Sequence, residues 1–259
     1  MLTVDLGNSR LKALLWGPTL RSSTEPPAPA GSFEGESSDL DPFARWLEPL
    51  RGRPGALSSV ASTARSEAVQ RALEAAGVRL HVAPDSGLEN RCRPPEGVGT
   101  DRLYAAAAAA ELCAGACLVV DAGTALTVDA VAVEGPVRVF LGGAIAPGPA
   151  LLAAVLAEGT ARLPLIQPEP GARALGRSTE EALRAGIGLG FRGAARALVE
   201  GLAAETGLAA APLVLTGGAR AHLLLPVPFT TRPLRVVPDL VHRGLLAALR
   251  AAEARGGTA

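Results

Sequence analysis

Lysine is almost missing from this 259-residue chain: Lys12 stands alone, and arginine carries the rest of the positive charge. Acidic and basic residues balance at 25 each. No global positive field is therefore expected to hold nucleic acid, and no acidic tail to hold a basic partner. Three cysteines are too few for a disulfide framework in a chain of this length. Cys113 and Cys117 are spaced to share a helical face, but no His or Cys stands at ligand spacing. They read as small buried apolar residues. His81, His222 and His242 stand singly and read as surface or capping residues. Met1-Leu2-Thr3-Val4 enters a strand without a basic n-region, so no signal peptide is expected. The run Ala105 to Ala110 is broken by Glu111 and is too short to cross a bilayer. The expectation is a cytoplasmic protein with no nucleic-acid or membrane partner.

What is present is enough apolar sequence, 48% of the chain, for a sizeable core. Leu2–Leu6 and Leu11–Trp16 read as strands of a hairpin turning at Gly7-Asn8. Residues 17–38 read as loop with one edge strand near Ser32-Phe33, and Asp41–Leu50 as a helix capped by Asp39 or Asp41. A strand at Ala56–Ala61, a helix at Ser66–Ala76 stopped by Gly77 and a strand at Val78–Val82 follow. A Pro- and Arg-rich loop to Gly99 leads into the alanine-rich helix Asp101–Cys113. Strands are then expected at 117–120, 125–133, 137–141 and 212–215. Helices are expected at 149–158, 179–205 and 239–253.

One device occurs twice. Val4-Asp5-Leu6-Gly7-Asn8-Ser9 and Val120-Asp121-Ala122-Gly123-Thr124-Ala125 are each a strand, then Asp-x-Gly, then a small polar residue, then another strand. Two α/β domains, 1–98 and 99–259, with a cleft between them, are the economical architecture. A glycine hairpin lets backbone N–H groups approach an anion. Asn8 and Ser9 add donors, Lys12 adds a point charge, and Asp5 can hold Mg²⁺ beside phosphates. Thr124, Thr127, Asp121 and Asp129 furnish the second turn, and Gly142-Gly143 and Gly217-Gly218 read as further glycine-rich strand ends.

Other nucleotide motifs are excluded. The lone lysine follows Leu11, so no P-loop exists, and no Gly-x-Gly-x-x-Gly follows the first strand. Gly186, Gly188 and Gly190 fall inside an expected helix and read as helix packing. The protein-kinase motif set is absent as well. Asp101, in Gly99-Thr100-Asp101-Arg102, has two readings. It is either a helix-capping carboxylate or a base taking a proton from a substrate hydroxyl while Arg102 pairs with an anionic group.

In order along the chain, these strings resemble the type III pantothenate kinases, also called Bvg accessory factors, of the sugar-kinase/actin-like ATPase superfamily. Asp5-Leu6-Gly7-Asn8-Ser9 with Lys12, Ser58-Ser59-Val60, Gly99-Thr100-Asp101-Arg102 and Asp121-Ala122-Gly123-Thr124-Ala125 are similar to its motifs. So are Gly142-Gly143-Ala144-Ile145-Ala146-Pro147-Gly148, Ser178-Thr179, Thr216-Gly217-Gly218 and Pro238-Asp239-Leu240-Val241. The resemblance implies two similar actin-like (ribonuclease H-like) α/β domains, each a mixed five-stranded sheet with flanking helices. It implies ATP-dependent phosphorylation of pantothenate at the start of coenzyme A synthesis, with Mg²⁺ and K⁺ or NH₄⁺, by a homodimer. Carried over, Asp101 is the base and Asp5 organises Mg²⁺. Leu6, Gly7, Asn8, Ser9, Arg10, Leu11, Lys12 and Thr124 hold ATP and its phosphates. Asp121 binds the monovalent cation, and Cys92, Gly99, Thr100, Arg102 and Thr179 line the pantothenate site.

Two positions depart from the family pattern. Cys92 stands where a tyrosine is usual, and Ala219 where an aspartate is usual. A non-catalytic regulatory relative, or a kinase of another small hydroxylated acid, is the competing reading. The retained Asp5, Asp101 and Asp121 argue against the regulator, and the Gly-x-Asp-Arg loop favours pantothenate.

Overall fold

The computed structural model describes residues 1–17 and 28–256, so part of the loop expected over 17–38 lies outside the described residues. The elements in order are β1 (Leu2–Leu6), β2 (Arg10–Trp16), β3 (Pro29–Glu36), α1 (Asp41–Leu47), β4 (Pro54–Ser59), α2 (Thr63–Ala75), β5 (Arg79–Val82), β6 (Glu89–Asn90) and α3 (Thr100–Leu112). They continue with β7 (Cys117–Ala122), β8 (Ala125–Glu134), β9 (Val137–Pro147), α4 (Pro149–Gly159), α5 (Thr179–Glu205), β10 (Leu213–Thr216), α6 (Ala221–Leu224), β11 (Leu234–Val236) and α7 (Leu240–Gly256). The chain forms two compact units. Unit 1 is Met1–Ala108 together with Asp239–Ala259, and unit 2 is Ala109–Pro238.

Unit 1 is built on a mixed sheet in the order β3-β2-β1-β4-β5. β1 runs antiparallel to β2 and parallel to β4. Strand alternation sends Leu2, Val4, Leu6, Leu11, Ala13 and Leu57 to one face, where they bury against Phe43 and Leu47 of α1 and Val69 and Leu73 of α2. α2 stops just before Gly77, whose φ is +73°. Gly77 N–H donates to the Glu74 carbonyl and Val78 N–H to the Leu73 carbonyl, a paired C-terminal closure that a left-handed glycine permits. On the sheet's other face α7 packs over β1 and β4. There Trp16 Nε1 donates to Thr3 Oγ1 at 2.8 Å, and Thr3 Oγ1 lies 3.0 Å from His242 Nδ1.

The expectation that the histidines are surface or capping residues is corrected for two of them. His222 and His242 are 8% and 5% exposed. His242 is buried where α7 covers β1, with its ring nitrogen against the Thr3 hydroxyl. Burial, with Lys12 nearby, lowers its pKa to about 4, while Asp239 pulls the other way.

The strands belonging to unit 2 lie in the order β11-β10-β7-β8-β9. Leu118, Val120, Ala122, Leu126, Val128 and Ala130 bury against Phe191, Ala195, Val199 and Ala203 of α5. α5 opens on an N-cap: Ser178 Oγ accepts from Glu181 N–H, and Glu181 Oε2 accepts from the N–H of Arg177, the residue before the cap. β9 differs from the sequence reading. It does not end at Gly142-Gly143 but runs on to Pro147. Gly142 has φ +112°, the pairing shifts register opposite Ala130 and Val131, and a Cβ on Gly143 would collide with the Val128 carbonyl and the Asp129 carboxylate. These glycines serve a bulge and a close approach inside the strand rather than its end. β11 and α6 are short elements that the sequence pattern did not mark. Among the described residues no helix is long and apolar enough to cross a membrane.

Candidate active site

In unit 1 the polar residues collect at one end of the sheet. Register places Lys12 of β2, Asp5 of β1 and Ser58 of β4 side by side on neighbouring strands. Residues in register on adjacent strands share a face, so the ammonium, the carboxylate and the hydroxyl form one row. β1 then turns: Gly7 N–H donates to the Arg10 carbonyl at 2.9 Å, leaving Asn8, Ser9 and Arg10 exposed. The backbone of this turn is held from outside. The Asn8 carbonyl accepts from Arg65 Nη1 at 2.7 Å and from Ser37 Oγ at 3.2 Å, and the Ser9 carbonyl accepts from Ser37 N–H at 3.3 Å. Neither Arg65 nor Ser37 carries a motif, so sequence reasoning missed both.

The row continues to Asp101. Ser58 is fully buried, and its hydroxyl lies 2.9 Å from Thr100 Oγ1 at the start of α3. The next residue, Asp101, is half-buried, and its Oδ1 accepts from the Arg102 N–H at 2.8 Å. A Cβ on Gly99 would lie 2.5 Å from that oxygen, so any larger residue there would push the Asp101 carboxylate aside. Burial pushes the Asp101 carboxyl above the usual range, against the opposing pull of the Arg102 N–H and charge. The first turn of α3 is anchored by Tyr104, whose hydroxyl donates to the Pro84 carbonyl at 2.6 Å. Gly244 of α7 is pressed against the Tyr104 backbone, where a Cβ would collide with its carbonyl. Cys92 is half-buried in a loop organised by Asn90. The Asn90 amide donates to the Pro95 carbonyl, and its Oδ1 accepts from Cys92 N–H.

The second Asp-x-Gly turn lies in unit 2, between β7 and β8, with Asp121 in register with Thr127. Gly123 N–H donates to the Ala125 carbonyl at 2.9 Å. The Thr124 carbonyl accepts from Gly148 N–H at 2.9 Å, and the Ala122 carbonyl from Ala219 N–H at 2.7 Å. Gly217, at φ +94°, lies so near that a Cβ would strike the Ala122 carbonyl and the Asp121 carboxylate. Position 219 thus contributes a backbone N–H to this turn, a contact that alanine makes as well as aspartate would. Thr124 is exposed, Asp129 is buried, and Thr179 is exposed at the first position of α5.

Among the described residues no group of three His, Cys, Asp or Glu side chains could cage a metal. That does not conflict with Mg²⁺, which keeps its waters and needs one or two carboxylates beside phosphate oxygens. Asp5, next to Lys12 at a strand end, fits that requirement. Asp121, a half-buried carboxylate at the end of β7, supplies the oxygen donors that a monovalent cation takes.

The family model described as type III pantothenate kinase matches residues 1–201. A type III pantothenate kinase of Chromobacterium violaceum is 36% identical over 247 residues, covering 95% of this chain and 97% of its own. One from Bordetella pertussis is 40% identical over 174 residues, covering 64% of this chain and 63% of its own. Among solved structures, a Baf-family protein from Campylobacter jejuni has a TM-score of 0.60 at 19% identity, covering 98% of this chain and all of its own (100%). A glucokinase from an Antarctic psychrotroph has a TM-score of 0.53 at 13% identity, covering 96% of this chain and 98% of its own. The fold, two mixed sheets with flanking helices, is shared with these two structures. With 97% of one relative's length matched and the family model covering both Asp-x-Gly turns and the Gly-x-Asp-Arg loop, the chain belongs to the type III pantothenate kinase family.

Proposed function

We propose that this protein transfers the γ-phosphoryl group of ATP to the 4′-hydroxyl of pantothenate, the entry step of coenzyme A synthesis, in the cytoplasm. The observation that carries the reading is Asp101: a half-buried carboxyl of raised pKa, fixed by the Arg102 N–H and joined through Thr100 and Ser58 to the Asp5 row. Phosphoryl transfer asks little covalent chemistry of a protein and much positioning. Asp101 accepts the hydroxyl proton as the oxygen bonds to the γ-phosphorus and the bond to the β-phosphate oxygen breaks, releasing ADP. A base whose pKa is lifted toward working pH is the better acceptor.

The first turn, Leu6 to Leu11 with Lys12, binds the phosphates, and Thr124 of the second turn contacts ATP. Mg²⁺ beside Asp5 would neutralise phosphate charge, and K⁺ or NH₄⁺ would sit at Asp121. Gly99, Thr100, Arg102, Cys92 and Thr179 bind pantothenate, with Arg102 paired to its carboxylate. A homodimer is supported by the outer side of α4. Leu151, Val155 and Leu156 are exposed there, beside an apolar cavity of about 300 Å³ lined by Pro147, Leu152, Leu183 and Ile187.

The test is ADP release that depends on ATP, pantothenate and K⁺, compared between wild type and Asp101→Asn. The variant is expected to lose about 10³-fold in turnover while keeping its affinity for a fluorescent ATP analogue. Near-wild-type turnover in the variant would remove Asp101 as the base.

A further inference from the structure

We propose that Arg65 and Ser37 are positioning residues that lock the peptide planes of the first phosphate turn, so that its amides rather than its carbonyls face the nucleotide. The proposal rests on the kinase reading and names residues that the family motifs do not.

The geometry is specific. Arg65 Nη1 and Ser37 Oγ both donate to the Asn8 carbonyl, and Ser37 N–H donates to the Ser9 carbonyl. A trans peptide is planar, and its C=O and the following N–H point in opposite directions. Fixing the Asn8 carbonyl toward Arg65 therefore aims the Ser9 N–H the other way, and fixing the Ser9 carbonyl does the same for the Arg10 N–H. A carbonyl free to swing toward a phosphate would present like partial charge to it; an amide presents a donor. Both clamps act on consecutive peptides, at the point where glycine has made the backbone easiest to turn over.

The second Asp-x-Gly turn reaches the same end by other means. Its Ala122 and Thr124 carbonyls are also tied, by the N–H groups of Ala219 and Gly148. In both turns the outside donors fall on carbonyls. In the first, two of the three come from side chains, and one of these is a full positive charge. Among the described residues Arg65 has no carboxylate partner, so its charge stays at the turn uncompensated by an ion pair. An arginine keeps further N–H groups after donating one, and a lysine can replace its charge but not its planar fork.

Kinetics of Arg65→Gln, Arg65→Lys and Ser37→Ala against wild type test this, with thermal unfolding recorded for each. Arg65→Gln is expected to raise KM for ATP about tenfold, the loss of one charge-assisted hydrogen bond. KM for pantothenate should stay within about twofold and the melting temperature within a few degrees. Arg65→Lys should recover part of the ATP defect, and Ser37→Ala should show a smaller ATP-selective rise. An unchanged KM for ATP in Arg65→Gln, equal rises for both substrates, or a defect that tracks lost thermal stability overturns the proposal. Fluorescent ATP-analogue binding is measured in parallel, independent of turnover. If wild type binds the analogue but never turns over pantothenate, the substrate reading fails and the clamp is judged on binding alone, where an unchanged affinity in Arg65→Gln overturns it. If wild type does not bind the analogue, both fail.

Discussion

Between the last paired residues Leu6 and Leu11 the first turn contains Gly7, Asn8, Ser9 and Arg10; between Ala122 and Leu126 the second contains only Gly123, Thr124 and Ala125. The shorter turn sits among backbone. Gly148 and Gly217 come so close that neither has room for a Cβ, and main-chain N–H groups hold its carbonyls. The longer turn is open, with Gly7 meeting only the Arg10 carbonyl at 3.4 Å, and the side chains of Arg65 and Ser37, helped by the Ser37 N–H, hold it. One motif thus has two kinds of support. Backbone support demands glycines and tolerates almost any side chain elsewhere; side-chain support tolerates a Cβ in the turn and demands particular residues far away in sequence.

The sharpest way to break this contrast is to add a methyl group to each turn. Gly217→Ala forces a Cβ into the Ala122 carbonyl at a positive φ, and is expected to cost about 3 kcal/mol or more in denaturant unfolding. Gly7→Ala should cost less than about 1 kcal/mol. Similar costs for the two would mean that the first turn is as enclosed as the second.

Acid offers a smaller, unit-specific perturbation. His242 lies behind β1, with Lys12 and Asp239 as its charged neighbours. Its folded pKa, about 4, is below its unfolded value, so the unfolded chain takes up the proton first. Stability contributed by the neutral ring is complete above about pH 6.5 and is lost as pH falls toward 4, by up to about 3 kcal/mol. His242→Gln should flatten that slope in urea titrations run at pH 7 and pH 4.5; an unchanged slope would assign the acid loss elsewhere. The smallest effect is expected at the rim of the first turn. Arg10 and Glu34 pair at 3.3 Å, but both are more than half exposed, at 64% and 52%. Glu34→Gln should move stability by less than about 0.5 kcal/mol and leave KM for ATP unchanged. A shift in KM would mean that the turn is held by its rim as well as by its carbonyl clamps.

The same contrast explains what could be read from sequence. Glycine and aspartate at fixed offsets announce a turn, so both Asp-x-Gly hairpins and the capped helix α5, expected over 179–205 and found there, were legible. Asp101 was legible only as one of two readings, because its carboxylate does bond a helical N–H while also being lifted in pKa. Gly142-Gly143 signalled special backbone but not which kind: a bulge within β9 and a strand end both call for glycine. The burial of His242 depends on a helix returning from the far end of the sequence to Thr3, which no local pattern encodes. Arg65 is one exposed arginine among many, and only the coordinates distinguish it.

Because α7 completes unit 1 while residues 109–238 form unit 2, one unit is inserted into the other. A ribosome making this chain delivers all of unit 2 before the helix that covers Thr3, Trp16 and the back of β1 has been translated. The inserted unit is contiguous and has every residue it needs as soon as it emerges. The unit carrying Asp5, Lys12 and Asp101 must wait, half-roofed, until the last elements arrive, so the order of synthesis makes the unit with the first Asp-x-Gly turn the later of the two to mature.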